Sequence, residues 1–264
     1  MLTHPTIETM KNLRLYGMAK AFEEQLQLTE VQDLSFEERL GLLMDREQTE
    51  QENRRLQTRL RKARLSQAAC VEDLDWRSRR GLDKSLLATL ASCEWVGSRL
   101  NLILTGPTGV GKTYLACALG QKACREGYSV EYHRVPRLFP ELGLAKGDGR
   151  YGTLLRRFAR TDLLILDDWG LYPFTDESRR DLLEILEDRC GKRSTLVTGQ
   201  LPIDQWHQAI GDPTLADAIL DRIIHDAYKI NLQGESMRKR KAKIQRNTEK
   251  KNPPEKDPSG KTRR

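Results

Sequence analysis

The chain lacks any long apolar run. Among its 264 residues the longest block of large aliphatic side chains is Leu163 to Leu166, far short of the roughly 20 residues that a membrane-crossing helix needs. No bilayer-spanning helix is expected. The opening residues, MLTHPTIETMK, carry no apolar block ahead of a small-residue cleavage site, so export is not expected and the cytoplasm is the expected compartment. Cysteine is sparse and irregular. The five residues Cys70, Cys93, Cys117, Cys124 and Cys190 never fall at CxxC spacing, and the four histidines stand alone, which argues against a disulfide framework and a structural zinc site. The cysteines read as packing residues. Aromatic residues make up only 6% and are scattered, so no row of stacking platforms for single-stranded nucleic acid is apparent. No internal repeat is apparent either.

An excess of acid is also missing. Lysine and arginine number 45 against 38 aspartate and glutamate, a formal charge of +7, but twelve of the basic and only four of the acidic residues fall in Glu235 to Arg264. That segment carries +8 and the remaining 234 residues −1. From Arg238 onward, RKRKAKIQRNTEKKNPPEKDPSGKTRR is nearly devoid of apolar residues and holds several prolines, a composition that cannot bury enough surface to stay ordered alone. Two readings stand: a solvated tail, or an arm that condenses on a phosphate backbone.

The length suits one sizeable domain with an appendage. From Thr6 to Leu28, Ile7, Met10, Leu13, Leu15, Met18, Phe22 and Leu26 recur every three or four residues. The pattern predicts one bent helix or two short ones, broken at Gly17. Ser35-Phe-Glu-Glu38 is a capping box, and a long helix should run from there to about Ser66. Its second half displays Arg54, Arg55, Arg59, Arg61, Lys62 and Arg64, either a solvated face or a surface for DNA or an acidic partner. A linker follows, then a helix over Lys84 to Ser92. From residue 100, the apolar runs Leu100 to Thr105, Tyr128 to His133, Leu163 to Asp167, Thr195 to Thr198 and Tyr228 to Leu232 alternate with helical patterns, the signature of an α/β fold with a parallel sheet covered on both faces. The expected domains are a helical N-terminal region over 1–75, a linker and helix over 76–98, a nucleotide-binding domain over 99–237, and the basic tail over 238–264.

Gly106-Pro107-Thr108-Gly109-Val110-Gly111-Lys112-Thr113 fits GxxxxGK[ST], and it follows a predicted strand and opens a predicted helix. In such a loop the backbone N–H groups turn inward to a triphosphate, Lys112 reaches its terminal phosphates, and the Thr113 hydroxyl takes a place on Mg²⁺. Downstream, Leu163-Leu-Ile-Leu-Asp167-Asp168 ends a buried strand in two carboxylates, at the sheet edge where ligands bind. Asp167 is expected to hold Mg²⁺ through water, and Asp168 to orient or deprotonate an attacking water. This favours an ATP hydrolase acting as a conformational switch over a small-molecule kinase. A switch of that kind often takes an arginine from a neighbour, and Arg222 and Arg238 are the candidates.

GPTGVGKT, LLILDDWG, TLVTGQLP and LADAILDRIIHDAYKINLQGESMRK together resemble the helicase-loader group of AAA+ ATPases, and within it the IstB family, ATP-binding helpers encoded beside the transposase IstA in bacterial insertion sequences. The resemblance spans nearly the whole chain. It implies a P-loop AAA+ domain with a five-stranded parallel sheet, an all-helical N-terminal domain and a minimal C-terminal lid. It makes Arg222 the arginine finger that completes a neighbour's ATP site, Arg238 the sensor-2 arginine, and Gln200 or Thr198 the sensor-1 position. A head-to-tail contact of this kind generates rings or helices, so an ATP-dependent homo-oligomer is implied. Relatives carry a helical insertion after the second strand. Here residues 134–160 hold seven basic side chains against Glu141 and Asp148, and Arg137, Lys146 and Arg150 are expected to track phosphates of duplex DNA, with little base readout. The partner implied is an IstA-like transposase. The alternatives are a replicative helicase loader, or an architectural DNA-binding protein with a slow ATP switch.

Overall fold

The computed structural model describes residues 4–28, 33–75 and 81–237. It divides into two compact units, 1–62 and 63–264, so the division falls at Lys62/Ala63 rather than at 75. The expected basic tail, with Arg238, lies outside the described residues.

In the first unit, α1 (Pro5–Asn12) opens on a proline at its first position, and the His4 ring accepts the Thr6 N–H at 3.3 Å. Proline suits that position because its missing N–H would have no helical partner there. α2 (Tyr16–Gln27) has no side-chain cap of its own at Leu15. The carboxylate of Glu47 supplies one, accepting the Gly17 and Met18 N–H groups at 2.7 and 3.1 Å. Burial alone would raise the Glu47 pKa, but hydrogen bonds from Gln51, Met18 and Gly17 outweigh it and hold the carboxyl below its ordinary value. The break expected at Gly17 falls earlier, at Arg14, whose φ is 62°. Gly17 itself is helical, and a Cβ there would lie 2.7 Å from the Arg46 carbonyl and 2.8 Å from the Glu47 Cα. Its glycine therefore serves close helix packing, not a bend.

α3 (Phe36–Ala63) starts at the predicted box: the Ser35 N–H donates to Glu38 at 2.8 Å and the Glu38 N–H to Ser35 Oγ at 3.2 Å. Of its expected basic face, Arg54 lies 3.6 Å from both Glu47 and Glu50 and stacks over Tyr16, so this arginine is committed within the unit.

The second unit begins with α4 (Lys84–Ala91), capped by Asp83, and the short α5 (Glu94–Gly97). The sheet and its helices follow in the order β1 (Asn101–Thr105), α6 (Lys112–Arg125), β2 (Val130–Arg134), α7 (Val135–Gly147), α8 (Tyr151–Arg160), β3 (Leu163–Trp169), α9 (Asp176–Arg189), β4 (Ser194–Gly199), α10 (Trp206–Ile210), α11 (Pro213–Ile224) and β5 (Ala227–Asn231). All five expected strands are present. They run parallel in the order β2-β3-β4-β1-β5. Leu102 to Leu104 and Leu163 to Leu166 are wholly buried, as strands covered on both faces must be.

α6 lies close on the sheet because its inner positions are small. A Cβ on Gly120 would stand 2.8 Å from the Ile165 side chain. α8 buries Leu154, Leu155 and Phe158 and turns Arg156 and Arg160 outward. At the amino edge of the sheet, Arg189 is fully buried and donates to the carbonyls of Phe158, Thr161 and Ser194 and to Thr195 Oγ1. Burial pulls its guanidinium down to about 9; it joins the end of α8 to the starts of β3 and β4.

Candidate functional site

Since every strand is parallel, all carboxyl ends share one edge, and the loops after β1, β3 and β4 meet there. The eight residues after Thr105 form the glycine-rich loop. Gly106 sits at φ 137°, Gly109 at 86° and Gly111 at 107°, conformations that L side chains rarely adopt. Space demands glycine as well: a Cβ on Gly106 would lie 2.1 Å from the Leu232 carbonyl oxygen, and one on Gly109 2.3 Å from Ser236 Oγ. The chain after β5 thus packs directly on the loop, with the Leu232 N–H donating to the Thr105 carbonyl at 2.8 Å and the Met237 N–H to the Gly109 carbonyl at 2.9 Å.

Lys112 is the first residue of α6. Its ammonium folds back onto the carbonyls of Gly106 and Pro107 at 2.6 and 3.0 Å. Burial lowers its pKa, against the opposing pull of Asp167 and Asp168. A buried cation whose hydrogen bonds go only to neutral carbonyls, in a loop of left-handed glycines, fits an anionic ligand such as a triphosphate. The next residue, Thr113, donates its hydroxyl to Asp167 at 3.0 Å. A hydroxyl beside a buried carboxylate is the oxygen donor set that a hard divalent cation such as Mg²⁺ takes.

Consecutive residues of a regular strand point to opposite faces, yet Asp167 and Asp168 both line the same cleft. The pairing explains how. Leu166 is opposite Val197 and Trp169 opposite Gly199, so Asp167 and Asp168 together face the single residue Thr198, a bulge in which Asp168 adopts φ 63°. Thr198 secures both: its hydroxyl bonds Asp167 and accepts the Asp168 N–H at 3.4 Å. Asp167 also accepts from the hydroxyl of Tyr132, whose pKa is raised first by burial and then by that carboxylate.

Asp168 is not free in the cleft. Arg134, the last residue of β2, grips its Oδ2 with Nε at 2.8 Å and Nη2 at 2.6 Å. Neither Tyr132 nor Arg134 was expected here from the sequence. The signal was present in the strand register, which sets Arg134 beside Asp167, but it becomes readable only once β2 and β3 are known to be neighbours. The cleft, about 530 Å³, is closed on another side by Ser66, Gln67, Asp73 and Asp75, residues placed with the helical N-terminal region on sequence grounds.

The remaining expected residues separate into three groups. Gln200 is at the cleft and accepts from the Thr108 hydroxyl of the loop at 2.7 Å, so both sensor-1 candidates reach the site, Thr198 through the carboxylates and Gln200 through the loop. Arg222 does not line the cleft. It lies near the end of α11, bonded to the Ala218 carbonyl at 2.7 Å and Glu187 at 3.0 Å, and its own carbonyl accepts from Asn101 at 3.0 Å. Asn101 starts β1, and a five-residue strand at about 3.3 Å per residue puts roughly 13 Å between that end and the loop. Arg238 is outside the described residues.

The three DNA candidates also part company. Arg137 is exposed on α7 with no ion-pair partner among the described residues. Lys146 is instead tied to Asp181 at 2.6 Å and Glu177 at 2.8 Å. Burial disfavours its charge, but those two partners more than compensate and raise its pKa, because Asp181 is buried on α9 and needs a cation. Lys146 is a packing contact between α7 and α9, which corrects the expectation that it tracks phosphates. Arg150 is exposed but bonded to Asp148, with 2.8 Å from its Nε.

Comparison with known proteins gives a consistent result. A family model described as IstB-like ATP binding protein matches residues 8–245. An insertion-sequence ATP-binding protein of Sinorhizobium fredii is 54% identical over 239 residues, 90% of this chain and 98% of that protein. The ATP-binding protein of insertion sequence IS21 from Pseudomonas aeruginosa is 33% identical over 238 residues, 89% of this chain and 90% of that one. Among solved structures, DnaI superposes with TM-score 0.53 at 24% identity, covering 67% of this chain and 94% of its own. The replication initiator DnaA, bound to AMPPCP and single-stranded DNA, gives TM-score 0.51 at 17% identity, covering 71% and 56%. These likenesses establish an AAA+ fold.

Proposed function

The chain belongs to the IstB-like ATP binding protein family, and from that premise we propose that it is a Mg²⁺-dependent ATP hydrolase that assembles on duplex DNA and hands that DNA to an IstA-like transposase. The observation that carries the hydrolase reading is the convergence of Lys112, Thr113, Asp167 and Asp168 in one cleft. Backbone N–H groups of the loop from Gly106 to Thr113 and the Lys112 ammonium would hold the phosphates. Thr113 and Asp167 would hold Mg²⁺, which when bound draws negative charge off the phosphate oxygens. Tyr132 and Thr198, both bonded to Asp167, keep that carboxylate in one orientation. Asp168, on the bulge beside it, is the group available to take a proton from an attacking water.

Within its own subunit the cleft receives no cation from Arg222, which sits at the other edge of the sheet. A neighbour's Arg222 would supply it, leaving Glu187 to do so. Assembly then follows from chemistry, since each site is complete only with a second copy, and a head-to-tail repeat builds a ring or helix. DNA contact is assigned to the outward arginines of α7 and α8, led by Arg137 and joined by Arg150, Arg156 and Arg160. If each subunit neutralises about three phosphates, log affinity falls against log salt with a slope of about −0.9 per contact.

The deciding experiment is sedimentation of the protein alone, with duplex DNA and with single-stranded DNA, each with and without a non-hydrolysable ATP analogue. A large complex that needs both nucleotide and duplex is the expected result. A protein that stays monomeric with nucleotide, and binds DNA equally without it, refutes the assembly and leaves a loader of another machine or a stand-alone switch.

A further inference from the structure

We infer that Arg134 is a positioning residue that withholds Asp168 until a phosphate group takes its guanidinium. The inference rests on the hydrolase reading above. Both Nε and Nη2 of Arg134 are directed to the same oxygen, Oδ2 of Asp168, at 2.8 and 2.6 Å. That oxygen then has both acceptor positions filled, and only Oδ1 is left to meet a water. The bulge, with φ 63° at Asp168 and its N–H on Thr198, leaves little backbone freedom, so the carboxylate can be released only by movement of the arginine.

Arg134 is well placed to move. Its side chain is 40% exposed and lines the same cleft as Lys112. A guanidinium fork suits phosphate at least as well as carboxylate, and a phosphate bearing two negative charges outcompetes a carboxylate bearing one. Two sources can present that group. One is the terminal phosphate of ATP in the cleft. The other is a nucleic-acid backbone against α7, because Arg134 is the residue that begins α7 and exposed Arg137 is three residues on. In either case phosphate binding and release of Asp168 are one exchange of partners, which couples ligand arrival to hydrolysis.

The test compares wild type, Arg134→Gln and Arg134→Lys in three measurements: affinity for a non-hydrolysable ATP analogue relative to ADP, turnover without DNA, and turnover with duplex DNA. If the nucleotide is the source, Arg134→Gln loses about tenfold of the preference for the analogue over ADP, the worth of one charge-assisted hydrogen bond, and Arg134→Lys recovers part of it. If the nucleic-acid backbone is the source, that preference is unchanged, DNA-free turnover rises severalfold, and the stimulation by duplex disappears. An Arg134→Gln protein that melts like wild type and alters none of the three overturns the inference. Should Arg134→Gln fail to fold, Arg134→Lys, which keeps the charge but not the two-nitrogen grip, is judged by the same measurements. A wild type that binds the analogue and hydrolyses nothing sinks the hydrolase reading separately, and the analogue-to-ADP comparison still decides whether Arg134 meets nucleotide phosphate.

Discussion

Replacing Gly106 by alanine tests whether the phosphate loop and the segment after β5 form one packed unit. Two costs arise together. At φ 137° an L residue is strained, by about 1–3 kcal/mol for sparsely populated backbone. The new Cβ would also stand 2.1 Å from the Leu232 carbonyl oxygen, a backbone atom that cannot rotate away. Relief requires β5 to retreat from β1, which breaks the Leu232 N–H bond to Thr105 at about 1 kcal/mol. The sum, about 2–4 kcal/mol, lowers the melting temperature by about 4–16 °C, taking 2–4 °C per kcal/mol for a domain of this size. Gly143→Ala is the control: it lies in α7 with nothing within 4 Å of the added carbon, so it should gain about 0.5–1 kcal/mol from its higher helix propensity. Thermal melts followed by circular dichroism, with and without an ATP analogue, measure both. Gly106→Ala melting as wild type does, and binding the analogue as tightly, would refute the reasoning.

Three further outcomes are expected. Glu47→Gln should destabilise the N-terminal unit by about 1.5–3 kcal/mol, the range for hydrogen bonds to a charged group, read as faster exchange of the Gly17 and Met18 amides. Because the folded Glu47 pKa is depressed, its contribution is present above the ordinary carboxylate value and is lost as pH falls through the depressed one; the variant should lose that acid sensitivity. Arg222→Ala should bind ATP normally and lose about 10³–10⁵ in turnover, as in-trans arginine fingers do, while a mixture with Asp168→Asn subunits should recover some activity; normal turnover by Arg222→Ala alone would end its assignment. Lys146→Ala should lower stability by about 1–3 kcal/mol by leaving Asp181 buried without its cation, with DNA affinity and its salt slope unchanged, whereas Arg137→Ala should flatten the slope by about 1.

Much was legible beforehand for a definite reason. The five strands were apparent as short apolar runs because parallel strands are buried on both faces, and the capping box at Ser35 and Glu38 because its partners are three residues apart. What escaped was non-local. Gly17 looks like a breaker until α3 is seen passing against it, and Lys146 looks like a surface charge until Asp181 is found beneath it. Neither neighbour lies within a helical turn in sequence, so no periodicity could reveal it.

By itself the sequence determined the phosphate loop, since the glycine spacing, the lysine and the threonine are contiguous and their chemistry needs no distant partner beyond a strand before and a helix after. It also determined that two carboxylates end the third strand. That both carboxylates face one cleft was decided by the tertiary structure, through a bulge set by how β3 pairs with β4. Arg134 holding Asp168, and Arg222 lying at the far edge of the sheet, were likewise settled by strand order, because the order β2-β3-β4-β1-β5 brings together residues dozens of positions apart whose only relation is the space they share.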